Sequence, residues 1–143
     1  MEQTVRRVLL AGTSSGCGKT TVVCALLQAL VDRGLRVGAF KCGPDYIDPM
    51  FHSRIIGARS GNLDGFFFSE NTMRLLLAKN SADRDISVIE GVMGYYDGAG
   101  LTSTAASSWE TARTLDAPAV LVADAKGAAL SVLAVVQGFL DFQ

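Results

Sequence analysis

Residues 12–21 read GTSSGCGKTT and lie between an apolar run and a helical pattern, a placement that constrains this chain more than any other feature. Residues 5–11, VRRVLLA, have the Val and Leu content of a short strand. Across residues 18–33 the apolar side chains of Val22, Ala25, Leu26, Ala29 and Leu30 recur at helical spacing. Gly34 then stands where a helix C-cap glycine belongs. A glycine-rich turn that leaves a strand, opens a helix and ends Gly-Lys-Thr is a phosphate loop.

Such a loop assigns its own chemistry. The backbone N–H groups of Thr13, Ser14, Ser15, Gly16, Cys17 and Gly18 can face phosphate oxygens, and the helix N-terminus adds partial positive charge. Lys19 can reach the β- and γ-phosphates, the Thr20 hydroxyl can bind magnesium, and Thr21 can touch the α-phosphate. ATP and Mg2+ are therefore the expected cofactors. One departure stands out: five residues, not four, separate Gly12 from Gly18, and Thr13 occupies the place of the usual first glycine.

The remaining pattern alternates strand and helix. Strands are expected at residues 37–40, 86–90 and 119–124, and the last, PAVLVAD with its preceding proline, has the continuous apolar run of a strand buried on both faces. Helices are expected at 70–79, 109–115 and 128–140, with a weaker one at 50–56; residues 57–65 and 91–107 read as loops. Ser69 or Asn71 would cap the helix at 70–79. Alternation of this kind implies right-handed crossovers and a parallel sheet, an α/β nucleotide-binding fold with its chemistry at the carboxyl ends of the strands. The segments rich in Gly, Asp, Glu or Lys all follow strands: 12–21, 41–49, 90–100 and 124–127. One shared site is the natural reading.

Around that site, Glu90 ends a buried strand, where packing alone would not place an acid, and it can serve a metal directly or through water. Lys41 follows another strand and can neutralise charge developing on a transferred phosphoryl group. Asp45 and Asp48 flank Tyr46 in KCGPDYIDP; either acid could join a metal or orient substrate, and either could instead be a turn former. Asp97, in GYYDGAG, is open to the same two readings. His52, the only histidine, reads as a packed or solvated side chain before a catalyst.

Composition closes off other classes. At 143 residues, 49% hydrophobic and net charge −1, the chain is one foldable domain with no basic footprint for nucleic acid. The start at Met1 and Glu2 runs through Arg6 and Arg7 into a strand that the loop needs, so it is not a removable signal; the apolar stretch 128–140 is too short and mixed to span a bilayer. Cys17, Cys24 and Cys42 are odd in number and lack metal-ligand spacing, which favours small buried or loop thiols and a cytoplasmic protein.

Three irregular strings carry a family resemblance: FKCGPDYIDPMFH at 40–52, NLDGFF at 62–67 and VIEGVMGYYDG at 88–98. They resemble the cobyrinate a,c-diamide synthases of cobalamin biosynthesis, and the similarity covers essentially all of the chain. More distantly, GTSSGCGKTTVVCALLQAL resembles the loop and first helix of dethiobiotin synthetase, which shares the longer loop. The resemblance implies ATP- and Mg2+-dependent activation of a carboxylate as an acyl phosphate, which ammonia from glutamine then converts to an amide at the c and a side chains of a corrinoid. On the matching motifs it implies Lys19 and Thr20 at nucleotide and metal, Asp45 and Glu90 completing the metal site, and Tyr46, Asp48 and Asp97 contacting or orienting substrate and intermediate. It also implies a C-terminal glutaminase domain that is absent from residues 1–143, so the expectation is an ATP-binding synthetase domain whose sheet is incomplete and whose isolated activity is in doubt. Exposed sheet edges would favour pairing, and the resemblance implies a homodimer as the expected assembly. Two alternatives stay open: a sister amidase acting on nickel-sirohydrochlorin or another tetrapyrrole, and a non-catalytic partition-type ATPase, although the latter usually carries a lysine early in the loop where Thr13, Ser14 and Ser15 stand.

Overall fold

The structure, a computed structural model, describes residues 5–143; Met1 and Glu2, read above as part of the start, lie outside the described residues. The element order is β1 (Arg7–Gly12), α1 (Lys19–Asp32), β2 (Val37–Cys42), α2 (Ile47–Phe51), β3 (Arg59–Leu63), α3 (Glu70–Ser81), β4 (Ile86–Glu90), α4 (Ser108–Thr114), β5 (Ala119–Val122) and α5 (Ser131–Phe142). A π-helical turn, His52–Ile56, continues directly from α2. The strands form one parallel sheet in the order β3-β2-β4-β1-β5.

Alternate residues of the strands feed two cores. Leu9, Ala11, Phe40, Cys42 and Ile89 pack with Met73 and Leu77 of α3 and Ala112 of α4. Leu10, Ala39 and Val88 face the other way, onto Val23 and Leu27 of α1 and Ile56 of the π-helical turn. Leu27 is fully buried, which stabilises the fold by roughly 1.5–3 kcal/mol relative to an exposed position. The period-two pattern puts Lys41 and Glu90, two residues beyond Ala39 and Val88, on the α1 side.

Five expectations need correction. Residues 59–63, RSGNL, form an edge strand rather than a loop. Gly and Asn disfavour strands and only Leu63 is buried there, so the local pattern is silent; the strand exists because its backbone pairs with β2. The weak helix at 50–56 starts earlier, at Ile47, and its second half is π-helical. The first strand runs Arg7–Gly12, and the last helix begins at Ser131 and runs to Phe142. The last strand is short and half-exposed, and α5 buries none of its residues. Its apolar face, with Leu133 and Leu140 more than half exposed, is held mainly by Tyr96, which stacks on Phe139 and donates to its carbonyl at 2.8 Å. Ser69, one of the two expected caps, accepts from Thr72 N at 3.3 Å. Among the described residues, no helix is long and apolar enough to cross a membrane.

Candidate functional site

The phosphate loop is built by two left-handed glycines. Gly16 and Gly18 have φ of 75° and 97°, and Gly18 is the N-cap of α1. Thr13 N donates to Val122 O at 3.0 Å, tying the loop to β5, while Cys17 packs beneath it against Gly12. Lys19 folds back over the loop: its Nζ donates to Met93 O at 2.6 Å and Ser14 O at 3.2 Å. Met93 holds a left-handed φ of 49°, sparsely populated for a side chain of its size, and the turn after it is closed by Gly94 N donating to Asp97 Oδ2 at 2.8 Å.

Beneath the loop lies a charge cluster. Lys41 and Glu90 are register partners on β2 and β4, and Lys41 Nζ reaches Glu90 Oε1 at 2.8 Å and Asp48 Oδ2 at 2.7 Å, with Asp45 at 4.0 Å. Thr20 donates its hydroxyl proton to the same Glu90 oxygen at 2.5 Å. Burial alone would lower the Lys41 pKa, but hydrogen bonds to Asp48 and Glu90 outweigh it and hold the ammonium above its ordinary range. Burial would likewise raise Asp48, and the Lys41 hydrogen bond and charge hold it below its ordinary range. Lys41 and Asp48 thus hold each other charged at neutral pH. His52 lies beside it at 1% exposure, with Nε2 3.7 Å from Glu90 Oε2.

A cleft of about 430 Å³ opens above, bringing together Ser15, Gly16, Gly18, Lys19, Thr20 and Thr21 from the loop with Lys41, Asp45 and Asp48. Glu90 does not line the cleft; it lies beneath Thr20 and Lys41, 0% exposed. Ser14 contributes a carbonyl to Lys19, and neither it, Thr13 nor Cys17 lines the cleft. Tyr46 stays outside too, at 74% exposure, and Asp97 lines a second cavity of about 640 Å³ that adjoins the first only at Met93. Sequence reasoning passed over Asn62, whose Nδ2 donates to Gly43 O at 2.9 Å and Asp45 O at 2.7 Å and so fixes the acidic loop; its place in the NLDGFF string was the available signal. Burial pushes the Cys42 thiol up to about 12, which makes it a poor nucleophile.

Among the described residues no three His, Cys, Asp or Glu groups gather closely enough to hold an ion by themselves. The donors present are a hydroxyl and carboxylates beside a phosphate loop, which suits magnesium, a hard cation that keeps waters and shares its ligands with phosphates. They do not suit a soft, fully caged metal.

Comparison with known proteins points to a nucleotide-binding domain. Residues 8–130 match a family described as CbiA, the CobQ/CobB/MinD/ParA nucleotide binding domain. The chain is similar to proteins named cobyrinate a,c-diamide synthase from Thermoplasma volcanium, 49% identical over 96% of this chain, and from Salmonella typhimurium, 46% identical over 94%. A third, from Methanocaldococcus jannaschii, is 41% identical over 96% of this chain. The chain spans about 30% of the length of these curated relatives, being 30%, 29% and 31% of them respectively.

Proposed function

This chain belongs to the CobQ/CobB/MinD/ParA nucleotide binding domain family, and from that premise we propose that residues 1–143 are the ATP- and magnesium-binding synthetase domain of an enzyme that amidates the a and c carboxylates of cobyrinic acid. The observation that carries the reading is the hydrogen-bonded chain Lys41–Glu90–Thr20 beneath a phosphate loop, joining three segments that are far apart in sequence.

In this reading the loop backbone and Lys19 hold the triphosphate, and Thr20 faces the metal. Magnesium, when bound, supplies neutralisation of charge on the β- and γ-phosphates. The substrate carboxylate attacks the γ-phosphorus, the bond to the ADP oxygen breaks, and an acyl phosphate forms. Ammonia then attacks the acyl carbon, and inorganic phosphate leaves with the C–O electron pair. Neither step needs a protein nucleophile; both need positioning and charge compensation. Lys41, held protonated, is the group set to meet the anionic phosphoryl, and Asp48 sets its position. Release of Lys19 from Met93 O would free its ammonium for the phosphates. Tyr46 and Asp97 belong to the substrate side in the same reading, Asp97 through the adjoining cavity.

The partner readings rest on the same premise. Ammonia would come from a glutaminase domain, and self-pairing would use the apolar side chains that β5 and α5 leave exposed, among them Val120 and Leu133. The three free thiols suit a cytoplasmic enzyme. The deciding experiment is calorimetry of ATP with Mg2+ on this chain and on Lys19→Ala. Binding that disappears in the variant supports the loop assignment; equal binding by both would remove Lys19 from the site and the proposal with it.

A further inference from the structure

Glu90 meets Thr20, Lys41 and His52, yet half of its carboxylate is unaccounted for. Oε1 accepts from Thr20 and Lys41. Oε2 is buried with no hydrogen-bond partner, and both ring nitrogens of His52 are buried without one as well. These orphans face each other, with His52 Nε2 and Glu90 Oε2 3.7 Å apart. Buried polar groups without partners are rare, and two complementary ones side by side are a hydrogen bond lacking only a small closure.

The local backbone is built to hold the ring there. His52 opens the π-helical turn, and its carbonyl accepts from both Gly57 N and Ala58 N. Gly57, at φ 84°, terminates the turn and lets the chain enter β3. A π-helical turn is a costly way to leave a helix and is found mostly where a side chain must be aimed. An imidazole carries a proton on at least one ring nitrogen, so His52 has one to give.

We infer that His52 is a positioning residue for Glu90: its Nε2–H donates to Oε2 and turns Oε1 toward Thr20, so that the Thr20 hydroxyl spends its proton on Glu90 and presents its lone pairs to the cation at the phosphate loop. This rests on the reading above that Thr20 meets magnesium. Glu90, with no exposed surface, then holds Thr20 from beneath. The logic is that of an outer hydrogen-bond partner orienting a metal-facing group.

Two measurements on this chain test it. The first needs no nucleotide: 15N NMR of the His52 ring. A protonated Nε2 that exchanges slowly and shifts in Glu90→Gln is expected; a ring protonated on Nδ1, or one indifferent to Glu90→Gln, would overturn the assignment. The second is calorimetric titration of Mg2+ with ATP on His52→Leu and His52→Gln. Leucine should weaken the magnesium-dependent part of binding about tenfold and leave metal-free nucleotide binding unchanged. Glutamine, whose amide nitrogen can stand in for Nε2, should restore binding to within about threefold, a rescue that a purely space-filling role would not show. Wild-type magnesium dependence in the leucine variant would overturn the inference. Absence of nucleotide binding by the unsubstituted chain would instead sink the proposed function, and the NMR result would still decide whether the hydrogen bond exists.

Discussion

Lys41 and Glu90 stand opposite each other in the register of β2 and β4, and their charged ends meet at 2.8 Å on the α1 face of the sheet. The pair is almost wholly buried, with Lys41 reaching the cleft, and Asp48 completes it at 2.7 Å from the same ammonium. Nearly everything specific about the cleft is arranged around that contact.

Removing the ammonium should therefore be expensive. In Lys41→Met the fully buried Glu90 loses its cationic partner and keeps the Thr20 hydroxyl beside the His52 ring, and the loss is expected at about 3 kcal/mol at neutral pH, the lower end for breaking a buried pair. Asp48 has a depressed pKa, so its pairing contributes above its ordinary value of 3.8 and fades as pH falls through its lower folded value. The difference between wild type and variant should be flat across neutral pH and shrink below about pH 4. Urea unfolding from pH 3 to 8 reads this directly.

Gly12→Ala should separate loop geometry from fold. A methyl there would run into Cys17 Sγ and stand 2.9 Å from Lys19 Cδ and Nζ. Stability should fall by about 1–3 kcal/mol, and ATP affinity by about tenfold or more through displacement of Lys19. Adding Cys17→Ala should recover stability and not affinity. Recovery of both would show that Lys19 tolerates the methyl.

Asp97 has a structural duty that can be measured apart from any substrate role. It caps Gly94 N and so shapes the turn that presents Met93 O to Lys19. Asp97→Ala should speed amide exchange at Gly94 about tenfold, while Asp97→Asn, which keeps an acceptor, should stay within about threefold. Equal protection in all three proteins would remove the capping role.

Far from the cleft, Asp85 accepts from the Arg36 guanidinium and from Arg36 N at 2.7 Å, and these bonds hold its carboxyl down at about 2. Its folded pKa is lowered, so its contribution is complete above the ordinary carboxylate value and lost as pH falls toward about 2. Thermal midpoints should show Asp85→Asn less stable than wild type at pH 6, with the two curves converging by pH 2.

Local signals reached far into this protein because its site hangs on the ends of elements. The phosphate loop announces itself through Gly16, Gly18 and Lys19, since glycine takes left-handed turns without strain and the helix must begin at once. Glu90 was legible as an acid where a buried strand stops, and Ser69 as a cap. The strand β3 was not legible, because RSGNL has no strand periodicity and owes its conformation to pairing with β2. Nor could the irregular string KCGPDYIDP declare which of its residues face inward: Lys41 and Asp48 do, and Tyr46 does not.

The sequence by itself determined the fold class, the phosphate loop and the inventory of charged groups, because periodicity, turn chemistry and strand ends are written within a few residues of one another. Only the tertiary structure decided that Lys41 lies opposite Glu90, that Thr20 reaches the same oxygen, and that His52 is turned beneath them. Those relations depend on strand register and helix packing between segments as many as 70 residues apart, and such long-range choices leave no periodic trace in the chain.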